Sequence, residues 1–169
     1  SQYNYLTIAT TRPETLLGDT AVAVNPNDIR FKKYIGENIT IPIVNREVQI
    51  IGDNSVEMDF GTGALKVTPA HDHADFDIGK NHNLEVINVF DKEGKGNENA
   101  KKYKGLKIEE IRSEIIKDLD EKNHIEKIDD YDNNVSHCER CDNKVEPYIS
   151  MQWFVKIKPL AEKAIKAIK

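Results

Sequence analysis

The densest group of chemically capable side chains in this sequence is His71-Asp72-His73-Ala74-Asp75-Phe76-Asp77. Imidazoles and carboxylates so close together can exchange protons, hold an ammonium group or ligate a metal. They follow an apolar run closed by Pro69 and stand where a helix should open, a place where unpaired N–H groups and the helix dipole favour acids. One reading therefore makes Asp72 no more than a helix cap. Another makes the group a zinc site that activates water, since His71, His73 and Asp75 have a ligand-like spacing. Against it, Phe76 stands where a further histidine is needed, and His82, His124 and His137 form no second cluster. A second polar segment is Thr10-Thr11-Arg12-Pro13-Glu14-Thr15. Hydroxyls and a guanidinium after a strand-like run can line a pocket mouth and hold a phosphate or carbonyl. They can equally be ordinary strand and turn formers. Cys138 and Cys141 supply two of the four ligands of a structural zinc, or are two free thiols.

The elements that must position these residues follow from hydrophobic spacing and from Pro and Gly punctuation. Strands are predicted at residues 5–10, 21–24, 39–44, 48–51, 64–68 and 85–89, with a hairpin turn at Asn45-Arg46 and a tight turn at Gly61-Thr62-Gly63. A short helix is predicted over residues 72–82, and residues 91–104 read as a flexible surface loop. Ile108, Ile111, Ile115, Ile116 and Leu119 recur at helical spacing, and a last helix opens near Pro159. Many short strands with two or three helices predict a compact α+β domain, a closed or nearly closed β-barrel with peripheral helices.

Composition narrows the classes. The 169 residues are 38% hydrophobic, enough for one sizeable core. The formal net charge of −5 argues against a general nucleic-acid binder, although Lys101, Lys102, Lys104 and Lys107 form either a local basic rim or a solvated face. No apolar run approaches the roughly 20 residues of a membrane span. A single Cys-x-x-Cys makes no disulfide framework, so a reducing, cytoplasmic setting is expected. Ser1 to Tyr5 lack signal-peptide character, and Met58 and Met151 are the sequence's methionines, so it reads as an excised fragment.

Two stretches taken together carry a resemblance. They are Thr10-Thr11-Arg12-Pro13-Glu14-Thr15-Leu16-Leu17-Gly18-Asp19-Thr20-Ala21-Val22-Ala23-Val24 and Gly61-Thr62-Gly63-Ala64-Leu65-Lys66-Val67-Thr68-Pro69-Ala70-His71-Asp72. Both resemble the editing domain that class I aminoacyl-tRNA synthetases for valine, isoleucine and leucine carry as an insertion. A threonine-rich strand and a Gly-Thr-Gly…Pro-x-His-x-x-x-Asp segment are common to the three enzymes. The Lys66-x-Thr68-Pro-Ala-His-Asp form is similar to the valine version, as are the helix after Gly105-Leu106 and the stretch from Glu146 to Val155. The resemblance covers nearly the whole chain.

It implies an editing domain over residues 1–130 and a return connector, residues 131–169, that leads back to an absent catalytic domain. It also implies the reaction: hydrolysis of the ester in threonine-charged tRNA(Val), with the tRNA 3′ end and the rest of the synthetase as partners. Asp75 would hold the substrate's ammonium; Asp72, Thr68 and Lys66 would surround its side chain and hydroxyl. Arg12 and Thr15, with Thr10 and Thr11, would face the ester and the terminal adenosine; His71 belongs to the pattern but is as readily a packed histidine. No cofactor is expected for the hydrolysis itself. Zinc at Cys138 and Cys141 would need a second ligand pair from before the insertion. The rivals are isoleucine- or leucine-type editing, which Lys66 and Thr68 disfavour, a catalytically silent tRNA-docking module, and the metal-dependent hydrolase.

Overall fold

β1 (Ala21–Val24) is apolar at every position, and the computed structural model, which describes residues 5–168, buries all of them. Successive strand side chains point to opposite faces. Accordingly Val22 and Val24 join one apolar cluster, and Ala21 and Ala23 another. β1 lies inside a four-stranded sheet of order β2-β3-β1-β4, with β2 at Asn38–Ile41, β3 at Arg46–Gly52 and β4 at Ala64–Val67. It runs parallel to β3 and antiparallel to β4, which sets Val22 beside Ile50 and Lys66. β2 and β3 form the expected antiparallel hairpin, whose connection uses positive φ at Ile43 (71°) and Asn45 (49°) instead of glycine.

Each face of the sheet carries a helix. On the Ala21–Ala23 face, Ile78 of α1 (His73–Asn81) packs with Ile51, Val56 and Val67. The opposite face is covered by Leu16 and Leu17 of a 3-10 turn (Pro13–Gly18), by Val89 and Phe90, and by Ile111, Ile115 and Leu119 of α2 (Ile108–Glu121). α2 starts cleanly because Glu110 Oε2 accepts from the Lys107 N–H at 2.8 Å. No helix among the described residues is long and apolar enough to cross a membrane.

The α+β class and its helices are as expected, and several local expectations change. The sheet ends at β2 and β4, so it is open where a closed or nearly closed barrel was expected. Residues 5–10 and 85–89 are not strands. The second segment spends its backbone groups elsewhere: the Val89 N–H donates to His71 Nε2 at 3.0 Å, and the Val89 carbonyl accepts from Asn97 N at 3.0 Å. Residues 91–104 are not a bare loop, because bridges at Phe90–Gly96 and Lys95–Lys107 and a 3-10 turn (Glu98–Tyr103) bury Ala100 and Tyr103.

Residues 122–156 hold no helix or strand beyond a bridge between His137 and Lys144. α3 (Ile157–Ile168) follows, with Ile157, Leu160, Ile165 and Ile168 exposed. Met151, Trp153 and Phe154 are exposed as well.

Candidate functional site

A lysine buried in the edge strand Ala64-Leu65-Lys66-Val67 demands a counter-charge, since an unpaired buried ammonium costs several kcal/mol. Strand alternation puts Lys66 and Thr68 on the face where the Pro13–Gly18 turn lies. There Lys66 Nζ donates to Thr15 Oγ1 at 2.8 Å, Thr68 Oγ1 at 2.5 Å and Asp19 Oδ1 at 3.2 Å. The Thr68 hydroxyl donates in turn to Asp19 Oδ1, and Thr15 Oγ1 donates to the Arg12 carbonyl at 3.0 Å. All four side chains are buried. Burial pushes the Asp19 carboxyl up, against the opposing pull of Lys66, Thr68 and Arg46. Asp19 Oδ2 is buried, with no hydrogen-bond partner among the described residues.

Gly18 lets this turn approach the neighbouring segment, because a Cβ there would lie 2.7 Å from the Ile87 carbonyl oxygen. Gly63, at φ +80°, makes the turn into β4.

The helix start adds the second half of the site. Asp72 Oδ1 caps α1 by accepting from Ala74 N at 2.8 Å and Asp75 N at 3.1 Å. Asp72 is exposed, whereas Asp75 is buried and its Oδ2 accepts from the Thr68 N–H at 2.8 Å. Among the described residues Asp75 Oδ1 accepts no hydrogen bond, leaving one carboxylate oxygen for a ligand. Burial first, then the nearby Asp72 and Asp19, push the Asp75 carboxyl up to about 6, against the Thr68 N–H and Lys66.

His71 is a packed histidine. Its Nε2 accepts from Val89 N, its ring lies 4.7 Å from that of Phe90, and burial followed by Arg12 and Lys66 pushes its pKa down to about 4. It is therefore neutral at pH 7, with its proton on Nδ1. His73 is exposed, and no cluster of three or more metal-ligating side chains exists among the described residues.

Arg12 lies over the His71 backbone, donating to its carbonyl at 2.8 Å and to Glu14 Oε1 at 3.2 Å. Thr10 Oγ1 accepts from Arg12 N at 3.0 Å, and the Thr11 carbonyl accepts from Arg112 of α2; both threonine side chains are exposed. The structure thus gathers Arg12, Thr15, Lys66, Thr68, His71 and Asp75 into one polar interior bordered by Asp72, with Thr10 and Thr11 at its rim. A surface cavity of about 460 Å³ against α2, lined by Lys102, Tyr103, Leu106, Glu110, Ser113 and Glu114, contains none of them. Sequence reading assigned no role to Asp19 or Glu14. The signal for Asp19 was Lys66 itself, a cation inside an apolar strand that required an acid.

Cys138 and Cys141 lie on a separate tight turn in which Cys138 N donates to the Asn143 carbonyl at 2.8 Å and Asp142 N to the Cys138 carbonyl at 2.9 Å. The backbone N–H groups of Arg140 and Cys141 point at the Cys138 sulfur and hold its thiol below the usual cysteine range. That donor set fits half of a thiolate zinc site.

Known proteins resemble this chain in sequence and in fold. The sequence model of the family described as "Leucyl-tRNA synthetase, editing domain" matches residues 33–133. The valine–tRNA ligase of Thermotoga maritima is 52% identical over 164 residues, which are 97% of this chain and 19% of that protein. The enzyme of the same name from Anoxybacillus flavithermus is 55% identical over 162 residues, 96% of this chain and 18% of that protein. This chain therefore spans about a fifth of the length of these relatives. A leucyl-tRNA synthetase from Agrobacterium radiobacter K84, solved in a ternary complex with tRNA and LeuAMS, shares the fold with a TM-score of 0.54. It is 24% identical, with 72% of this chain and 18% of that one covered. With the family model, these relatives and the fold in agreement, the chain belongs to the editing domains of valyl- and leucyl-type aminoacyl-tRNA synthetases.

Proposed function

We propose that this chain hydrolyses the ester of threonine-charged tRNA(Val), as the editing domain of a valine–tRNA ligase. The observation that carries the reading is the buried Lys66–Thr68–Asp19–Thr15 network joined through the Thr68 N–H to Asp75. Valine and threonine differ by a methyl against a hydroxyl, and an apolar pocket rejects such an isostere poorly, a limit for which the valine enzyme is itself a known example. A polar pocket reverses the preference, because valine would leave buried donors and acceptors unpaired at about 1–3 kcal/mol each.

Asp75 supplies the anchor. Its free Oδ1 takes the substrate ammonium, and its other oxygen is fixed by the Thr68 backbone. Asp72, at the border of the interior, and the Thr68–Lys66 pair face the substrate side chain. Arg12 and the Thr10–Thr15 segment face the ester and the terminal adenosine. The ester is already activated, so a positioned water and fixed dipoles suffice without a metal. Residues 1–130 form the editing domain and residues 131–169 the return connector, in which Cys138 and Cys141 would hold half of a structural zinc. Bound there, the metal would supply folding stability and not chemistry.

Deacylation of tRNA(Val) charged with threonine, valine and isoleucine in parallel tests the reading. Threonine should be released far faster than the other two; equal rates would end the assignment, and preferential release of isoleucine would move the domain toward leucine-type editing.

A further inference from the structure

Arg12 sits where three stretches distant in sequence converge. Its Nε donates to Glu14, one amino group donates to the His71 carbonyl, and the other reaches the carboxylate of Glu146. The inner edge is held firmly, since Glu14 is buried and also accepts from Arg112 of α2 at 3.2 Å. The outer edge is held, among the described residues, by Glu146 alone. Within residues 131–156 only Cys138, Glu146 and Pro147 are less than exposed. The connector thus touches the body of the domain at Glu146-Pro147. Beside that contact lies a cavity of about 290 Å³ whose walls include His71, Phe90 and Lys92 on one side and Pro147 and Tyr148 on the other.

A guanidinium has five N–H donors in a rigid plane. Three are used by Glu14, His71 and Glu146, so two remain for a ligand oxygen, and their direction is set by whatever fixes the plane. We propose that Glu146 is a positioning residue of the editing site: it holds the Arg12 guanidinium so that its two remaining donors meet the aminoacyl-tRNA end. The connector is then part of the site and not merely the path away from it. The proposal rests on the function proposed above.

The test uses the full-length synthetase that carries this chain, with Glu146→Gln, Glu146→Asp, Arg12→Ala and the double variant. Glu146→Gln should raise the KM for threonine-charged tRNA(Val) about fivefold and change kcat less, because the two charges are only partly exposed and uniform binding is what is lost. Glu146→Asp should restore part of it. Combined with Arg12→Ala, Glu146→Gln should add nothing. Hydrogen exchange should rise in the peptide covering residues 10–16 and stay unchanged in β3. A fall in KM would show that Glu146 competes with the substrate, and multiplicative losses would show that it acts elsewhere; either overturns the proposal, as does unchanged exchange at residues 10–16. A wild-type enzyme that spares threonine-charged tRNA(Val) while exchange still responds to Glu146→Gln would fail the substrate reading and leave the Arg12–Glu146 clasp standing.

Discussion

Asp75 is held in a state that costs stability. Its carboxyl is raised to about 6 chiefly by burial, so at pH 7 the fold keeps an ionised group in a site that disfavours the charge. Asp75→Asn retains an acceptor for the Thr68 N–H and removes the charge. It should stabilise the chain by on the order of 1–3 kcal/mol at pH 7, read from denaturant midpoints, with the gain shrinking as pH falls through about 6 and gone only below the ordinary carboxylate range. The same variant should lose on the order of 10- to 100-fold in deacylation, since the ammonium loses a charge-assisted bond. The wild-type rate should climb as pH rises through about 6. Alanine is the poorer probe: the sequence suggests a helix-start carboxylate outside the core, but Asp75 is buried and its removal strands the Thr68 N–H. Asp77 is exposed, and Asp77→Ala should be silent. Asp19 behaves differently, because it neutralises Lys66. Asp19→Asn should cost about 3–5 kcal/mol by leaving a buried cation uncompensated. Adding Lys66→Met should recover part of that loss, and a double variant no more stable than Asp19→Asn would show that the pair is not coupled.

At the scale of elements, the regular helices were legible and the irregular segments were not. The isoleucine spacing marks α2, and an aspartate after Pro69 marks the start of α1. Asp72→Ala should cost about 0.5–2 kcal/mol as a lost cap, whereas Asp72→Asn keeps the cap and isolates any effect on threonine selectivity. Residues 85–89 have strand-forming residues, but their hydrogen bonds go to a histidine ring and to Asn97, partners that no local pattern reveals. For the same reason the site was only half legible. Asp75, Lys66 and Thr68 follow from a resemblance in local sequence, whereas Asp19 and Glu146 meet their partners only through the tertiary fold. The turn at Gly18 is equally non-local: Gly18→Ala would push a methyl against the Ile87 carbonyl, backbone that cannot rotate away. It should cost about 1–3 kcal/mol, seen as a lowered Tm, and should disturb deacylation through Thr15 and Asp19.

The whole molecule divides into a body with a core on both faces of its sheet and a distal stretch that is almost entirely exposed. Met151, Trp153, Phe154 and the apolar residues of α3 stand open in a chain that spans about a fifth of its relatives' length. Trp153 is the chain's one tryptophan, and it is fully exposed. Its emission should therefore sit near that of free indole, be quenched freely by acrylamide, and barely change when the body unfolds. Far-ultraviolet circular dichroism would register that unfolding while tryptophan fluorescence stayed flat. A blue-shifted, quencher-resistant signal in the 169-residue chain would mean that the distal stretch has found cover. The same fluorophore, mute about folding, is well placed to report docking: any surface that closes over residues 151–155 would shift its spectrum without needing a label.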